Sequence, residues 1–106
     1  MTKLKVIGTN ANGLKSKQQS FTNLLDTDRP QIFMIQETKL KRKNQVRVEE
    51  YETFEKVRKN KGGGGIMIGV QKEIAVTPVD VSPQDDETEI LAVEIELEDL
   101  TNVYVP

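Results

Sequence analysis

The sequence predicts an α/β fold: one mixed sheet carrying one main helix. Three stretches predict it. Residues 31–36 form a short apolar run rich in bulky and β-branched side chains, opened by Pro30 and closed by Glu37 and Thr38, which reads as a buried strand. Residues 16–25 place Phe21, Leu24 and Leu25 at helical spacing, with Lys15, Lys17, Gln18 and Gln19 facing water. From residue 89, Leu91, Val93, Ile95 and Leu97 alternate with Ala92, Glu94, Glu96 and Glu98, a strand period with one dry and one wet face.

In chain order, residues 4–9 alternate loosely and read as a first strand, ending in a turn that Asn12-Gly13 marks. Ser16 is placed to cap the helix that follows, through Leu25. Residues 26–30 break it, and the strand 31–36 follows, buried on both faces. Strand, helix and strand in this order make a βαβ unit, so the first two strands are expected to lie parallel and adjacent. Residues 39–50 carry dense mixed charge and read as an exposed loop. Residues 51–57 read as an amphipathic strand, 59–65, with the glycines 62–65, as a tight, mobile connection, and 65–70 as a central strand. Pro78 places the strand 74–81 at an edge. Residues 82–88 form an acidic turn, and 101–106 a last strand. The later strands, joined by short turns, are expected to pair as an antiparallel meander.

Composition narrows the chemistry. The chain has 106 residues, enough for one small domain or part of a larger one. Its net charge of −2 gives no global positive field, so any hold on nucleic acid must be local. Having no cysteine, it makes no disulfide or zinc–thiolate site, which agrees with a reducing compartment. Having no histidine, it lacks the commonest general base and transition-metal ligand. No apolar stretch approaches the roughly 20 residues of a membrane span, nor does the N-terminus hold a signal-peptide core. The expectation is a soluble intracellular protein, cytoplasmic or nuclear, with no membrane partner.

The βαβ reading brings Asn10, Asn12 and Glu37 to one edge of one sheet. In open α/β sheets that carboxyl edge is where ligands bind. A carboxylate there needs a cation, either a divalent metal or a lysine from the next segment. Each residue alone has an ordinary explanation: turn residues for the asparagines, a salt-bridged strand end for Glu37. Together they look more like a site, in which amides bind phosphate oxygens and the carboxylate supplies the hard ligand that Mg²⁺ prefers.

Other features weigh less. The glycine run is not followed by the Lys-Ser or Lys-Thr of a phosphate loop, and a strand rather than a helix comes next, so it reads as a connection. Lys39, Lys41, Arg42, Lys43 and Arg47 read first as solvated surface, yet their place directly after Glu37 suits a phosphate backbone at the same rim. Glu94, Glu96 and Glu98 share one outward strand face and are read as wet surface, not as a metal cluster.

Four ordered segments resemble the endonuclease/exonuclease/phosphatase superfamily: Asn-Ala-Asn-Gly-Leu-Lys at 10–15, Ile-Gln-Glu-Thr-Lys-Leu at 35–40, Gly-Gly-Ile-Met-Ile at 64–68 and Val-Tyr-Val-Pro at 103–106. The wording is most similar to the apurinic-endonuclease-like domain of non-LTR (LINE-type) retrotransposon proteins. The resemblance implies a four-layer α/β/β/α sandwich and a divalent-metal-dependent phosphodiesterase acting on DNA, with Mg²⁺ as cofactor or Mn²⁺ in its place. It implies that Glu37 binds metal and that Asn10 lies beside metal and scissile phosphate. Asn12 falls among the metal-binding positions where many members have aspartate, and Tyr104 matches a tyrosine that approaches the phosphate. Lys39, Lys41 and Arg42 would be substrate contacts.

The family domain is much longer, and its later Asp-x-Asn, aspartate and histidine motifs lie beyond position 106. Residues 1–106 are therefore expected to be the N-terminal half of the sandwich, with a metal half and no base half, and inactive alone. A degenerate or domesticated remnant serving as an interaction module, and a phosphatase or lipid phosphodiesterase branch, are the alternatives. In a half sandwich, Ile66, Ile68, Leu91, Val93 and Ile95 would form an uncovered apolar face, open to self-association or to a complementing chain.

Overall fold

The computed structural model describes residues 3–58, 63–81 and 89–96. Six strands and one main helix are seen there: β1 (Val6–Asn10), α1 (Gln18–Asp28), β2 (Ile32–Gln36), β3 (Tyr51–Lys56), β4 (Ile66–Gln71), β5 (Ala75–Val79) and β6 (Ala92–Glu96). The mixed α/β class with one main helix is as expected. A four-stranded sheet has the order β1-β2-β4-β3, and β5 and β6 form a separate two-stranded sheet.

β1 and β2 are parallel neighbours, with Asn10 paired to Gln36, so the βαβ unit is real. β4 is central, antiparallel to both β2 and β3. The expected meander is only partly present. β3–β4 and β5–β6 are antiparallel pairs, but β5 does not extend the larger sheet. Pro78 lies on β5 opposite Val93, and a strand with one partner leaves it an open edge. Glu94 and Glu96 are exposed on β6, as their alternation requires, while Glu98 lies outside the described residues.

The helix begins later and ends later than its sequence signals suggest. Ser16 sits inside a 3₁₀ turn (Lys15–Lys17) and its hydroxyl donates to the Gly13 carbonyl at 3.3 Å, so it caps nothing. Lys17 takes the N-cap position without a side-chain bond. At the far end Arg29 adopts the left-handed conformation and its N–H donates to the Leu25 carbonyl, a standard helix stop, with Pro30 directly behind it.

One face of the sheet holds the main core cluster, while Ile68 and Val70 of β4 are buried on the other. Phe33 and Ile35 of β2 and Met67 of β4 are fully buried, and Phe21, Leu25 and Leu14 complete the cluster from the helix and the turn before it. The loop 39–50 also contributes: Leu40 and Val46 are buried, which its charge density hid. The expectation that β2 is buried on both faces fails at Met34, which is 44% exposed between buried Phe33 and Ile35. Helix α1 covers one face, and an unbroken apolar run reads the same whether one face or two are covered. Among the described residues the exposed large apolar side chains are Val6, Met34, Leu4 and Val79 rather than those expected. Ile68 is buried, and Ile66, Leu91, Val93 and Ile95 are only partly exposed.

Candidate metal and phosphate rim at the exit of strand β2

Parallel pairing carries β1 and β2 to the same edge, and the backbone continues the pairing past both strands. The Ala11 N–H donates to the Gln36 carbonyl at 2.8 Å, Gly13 to Glu37 at 2.9 Å and Leu14 to Thr38 at 2.9 Å. From the other side, the Thr38 N–H donates to the Gly65 carbonyl at 3.2 Å and Lys39 to Gly64 at 2.7 Å. Residues 36–39 are thus held between the turn after β1 and the glycine turn before β4.

That hold supports unusual backbone. Asn12, Glu37 and Lys39 all have positive φ, at 46°, 54° and 54°. Asparagine tolerates this region, whereas glutamate and lysine adopt it at a cost, and such residues gather at functional sites. Asn12 is further fixed by an N–H donated to Asn10 Oδ1 at 3.1 Å. The Lys17 ammonium donates to the Ala11 carbonyl at 2.6 Å and braces the same turn.

The glycine turn is packed, contrary to the mobile connection its sequence suggests. Gly64 and Gly65 are buried with φ of 68° and 93°. A Cβ on Gly65 would collide with Thr38 Oγ1, and one on Gly64 would lie 2.6 Å from the Arg58 guanidinium carbon and 2.7 Å from Glu89 Oε1. Residues 59–62 lie outside the described residues.

The structure brings Asn10, Asn12, Glu37 and Lys39 to one rim. Asn10 is in register with the residue preceding Glu37. The Lys39 ammonium donates to Asn12 Oδ1 at 2.6 Å. Glu37 is half-buried, and its Oε2 accepts a long 3.3 Å bond from the Gly64 N–H. Among the described residues no lysine or arginine forms an ion pair with it. Of the two partners foreseen for this carboxylate, the lysine has gone to Asn12 instead. Lys41 and Arg42 lie further along the loop, exposed. Tyr104 lies outside the described residues.

The donor set suits one kind of metal binding. Mg²⁺ keeps several waters and is commonly held through one or two carboxylates, and Glu37 offers one carboxylate without a competing cation among the described residues. Among the described residues no group of three or more acidic, histidine or cysteine side chains converges. The residues therefore fit a loosely held, largely hydrated ion and not an all-protein cage. Two further residues belong to the rim and carry no sequence signal. Glu89 Oε2 accepts the Gly65 N–H at 2.7 Å, and Arg58 donates to Glu89 Oε1 at 2.6 Å. A cleft of about 570 Å³ opens at the opposite end of β2, with Arg29, Arg47, Glu50 and Glu73 among its lining residues; charges of both signs leave it no clear ligand.

No family model matches the chain. Solved structures of matching shape include the AP endonuclease LMAP from Leishmania major, with a TM-score of 0.60 at 20% identity over 71% of this chain and 27% of that one. A second is the 3′ phosphatase NExo from Neisseria, with a TM-score of 0.57 at 19% identity over 72% of this chain and 32% of that one. Over the part it covers, the chain shares the fold of these AP endonuclease/exonuclease–phosphatase structures. It is also 24% identical to a DNA-(apurinic or apyrimidinic site) endonuclease from Dictyostelium discoideum, over 97% of its own length. The match spans 30% of that endonuclease, so the chain corresponds to under a third of the relative. Among the described residues no helix is long and apolar enough to cross a membrane.

Proposed function

We propose that this chain is the N-terminal part of a divalent-metal-dependent phosphodiesterase, a DNA endonuclease of retrotransposon type. One observation carries the reading: Glu37, a half-buried carboxylate at the exit of β2, faces no ionic partner among the described residues and stands one register position from Asn10. The likeness to apurinic-site endonucleases supports DNA as substrate, and the wording of residues 10–15, 35–40 and 103–106 supports the retrotransposon branch. An intracellular setting, cytoplasmic or nuclear, belongs to the same reading.

In this proposal Glu37 would hold Mg²⁺, or Mn²⁺ in its place, and Asn12, whose Oδ1 accepts from Lys39, would be a second ligand. Such an ion, when bound, neutralises charge that builds on the phosphoryl oxygens. Asn10 orients the phosphate through its amide, and Tyr104 contacts the same phosphate. Lys39, Lys41 and Arg42 hold the neighbouring backbone by charge. No histidine is present to act as base, so residues 1–106 alone hydrolyse little or no DNA.

A Mn²⁺ titration followed by water-proton relaxation tests this directly. Wild type should bind the ion and Glu37→Gln should not. Equal binding by the two proteins removes the metal reading. Plasmid nicking by the wild-type chain that disappears in Glu37→Gln would overturn the inactivity.

A second reading has its own support. Val6 and Met34, 47% and 44% exposed on the sheet face away from α1, suit an interaction module that recruits another copy or a complementing chain. A partner retained by Glu37→Ala under chelation would favour it. The likeness to a 3′ phosphatase keeps a phosphatase branch in view, and substrate profiling separates it from a nuclease.

A further inference from the structure

Two carboxylates flank the same two residues of backbone. Gly64 points its N–H at Glu37 and Gly65 points its N–H at Glu89. The two acids differ in their compensation. Glu89 is paired with Arg58 at 2.6 Å, and both side chains are largely buried, with 16% and 27% of their surfaces exposed. Glu37 has no such pair among the described residues. A buried carboxylate with a close guanidinium and a backbone donor is a fixed anchor, because breaking either contact would strand a buried charge.

The anchor acts on a turn packed closely against its own side chains. Gly64 and Gly65 both have positive φ, and the Arg58 guanidinium occupies the space a Cβ on Gly64 would need. The carbonyls of the two glycines accept from Lys39 and Thr38, so displacing the turn also frees the backbone on which Glu37 stands. Glu89 lies just before β6, 24 residues from Gly65, so this contact ties the second sheet to the rim.

We propose that Glu89 and Arg58 are positioning residues, which clamp the glycine turn so that Glu37 is presented, uncompensated, to a divalent cation. The proposal rests on the reading of Glu37 as a metal ligand. Arg58 also cancels the charge of Glu89, which leaves Glu37 as the unpaired anion of the rim among the described residues. Groups that orient a metal ligand without touching the metal commonly change affinity by about 10–100-fold when altered.

The test uses the whole chain, Mn²⁺ as probe and two readouts. One is affinity by water-proton relaxation. The other is the position of the Gly64 and Gly65 amide protons in the metal-free protein. Glu89→Gln should weaken Mn²⁺ about tenfold and move both amide protons, while the ring-shifted signals around Phe33 and Tyr51 stay in place. Arg58→Lys, which keeps the charge, should give a smaller change of the same kind. Glu37→Gln should abolish Mn²⁺ binding and move the Gly64 amide.

If Glu89→Gln leaves the Gly64 amide and Mn²⁺ affinity unchanged while Glu37→Gln abolishes binding, the clamp is wrong and the metal reading stands. If wild type binds Mn²⁺ no better than Glu37→Gln, the metal reading fails and the clamp falls with it. Should Glu89→Gln melt below the working temperature, Arg58→Gln is read on the same two signals, and the same outcomes decide.

Discussion

The ring of Phe33 fills the space that Gly69 leaves empty. The two residues are directly paired across β2 and β4, and a Cβ on Gly69 would meet the ring edge at several atoms. Phe33 is fully buried and sits edge-on between Phe21, 5.0 Å away, and Tyr51, 5.1 Å away. The helix, the central strand and an outer strand thus meet on one aromatic ring whose seat is a glycine.

Gly69→Ala should therefore destabilise the fold. The added methyl must push a ring that is braced on both sides, and overpacking of this kind costs about 1–3 kcal/mol. Denaturant unfolding of the variant measures it. An unchanged midpoint would mean that the ring has room to give.

Tyr51 makes a second prediction, with a pH dependence. Its hydroxyl donates to the Pro30 carbonyl at 2.6 Å, and Gln71 Nε2 donates to the same carbonyl at 3.1 Å. Tyr51→Phe should cost about 1 kcal/mol, because the carbonyl keeps one partner. Burial pushes the phenol above its ordinary value of 10.0; Glu50 and Glu73 push the same way, against Gln71 and Arg29. Below pH 10 the phenol is neutral in both folded and unfolded chains, and its contribution is complete. Above that pH the unfolded chain ionises first, so stability drains as pH rises through the folded value. Wild type should lose stability above pH 10 more steeply than Tyr51→Phe, and parallel pH curves for the two proteins would refute the point.

Much of this was legible in the sequence because local signals set it. Pro30, the apolar run and the abrupt Glu37-Thr38 ending place β2, and Asn12-Gly13 places the turn that meets it. The parallel register of β1 and β2 follows from the helix between them. What stayed hidden depends on partners distant in sequence. Arg58 and Glu89 are 31 residues apart, and nothing near either predicts their pairing. The glycine turn reads as flexible until Thr38, Arg58 and Glu89 are packed against it. Met34 is open for a related reason: whether a strand's second face is covered is decided by other elements of the fold.

The glycine turn separates two kinds of cost. Gly63 and Gly65 have φ of 80° and 93°, both unfavourable to alanine, but a Cβ on Gly63 meets nothing while one on Gly65 strikes Thr38. Gly63→Ala should cost about 1–2 kcal/mol of backbone strain alone. Gly65→Ala should cost more, and only it should weaken Mn²⁺ binding, since it moves the turn that contacts Glu37. Equal thermal shifts for the two variants would show that collision with Thr38 adds nothing.

The basic loop is the feature whose ordinary explanation most needs excluding. With a net charge of −2 the chain has no general attraction for DNA, so binding that exists must come from local cations. Lys41 and Arg42 are exposed and form no ion pair among the described residues, while Lys39 is held on Asn12. Each phosphate contact adds about 0.9 to the slope of log affinity against log salt on duplex DNA. Lys41→Ala and Arg42→Ala should each lower that slope by about one, measured by anisotropy of a labelled duplex across a salt series. Lys39→Ala should lower it too and also free the Asn12 oxygen, so it alone should strengthen Mn²⁺ binding as it weakens DNA. Three variants with the wild-type slope would return these residues to plain solvated surface, and a wild-type chain that binds no duplex at low salt would take DNA out of the proposal.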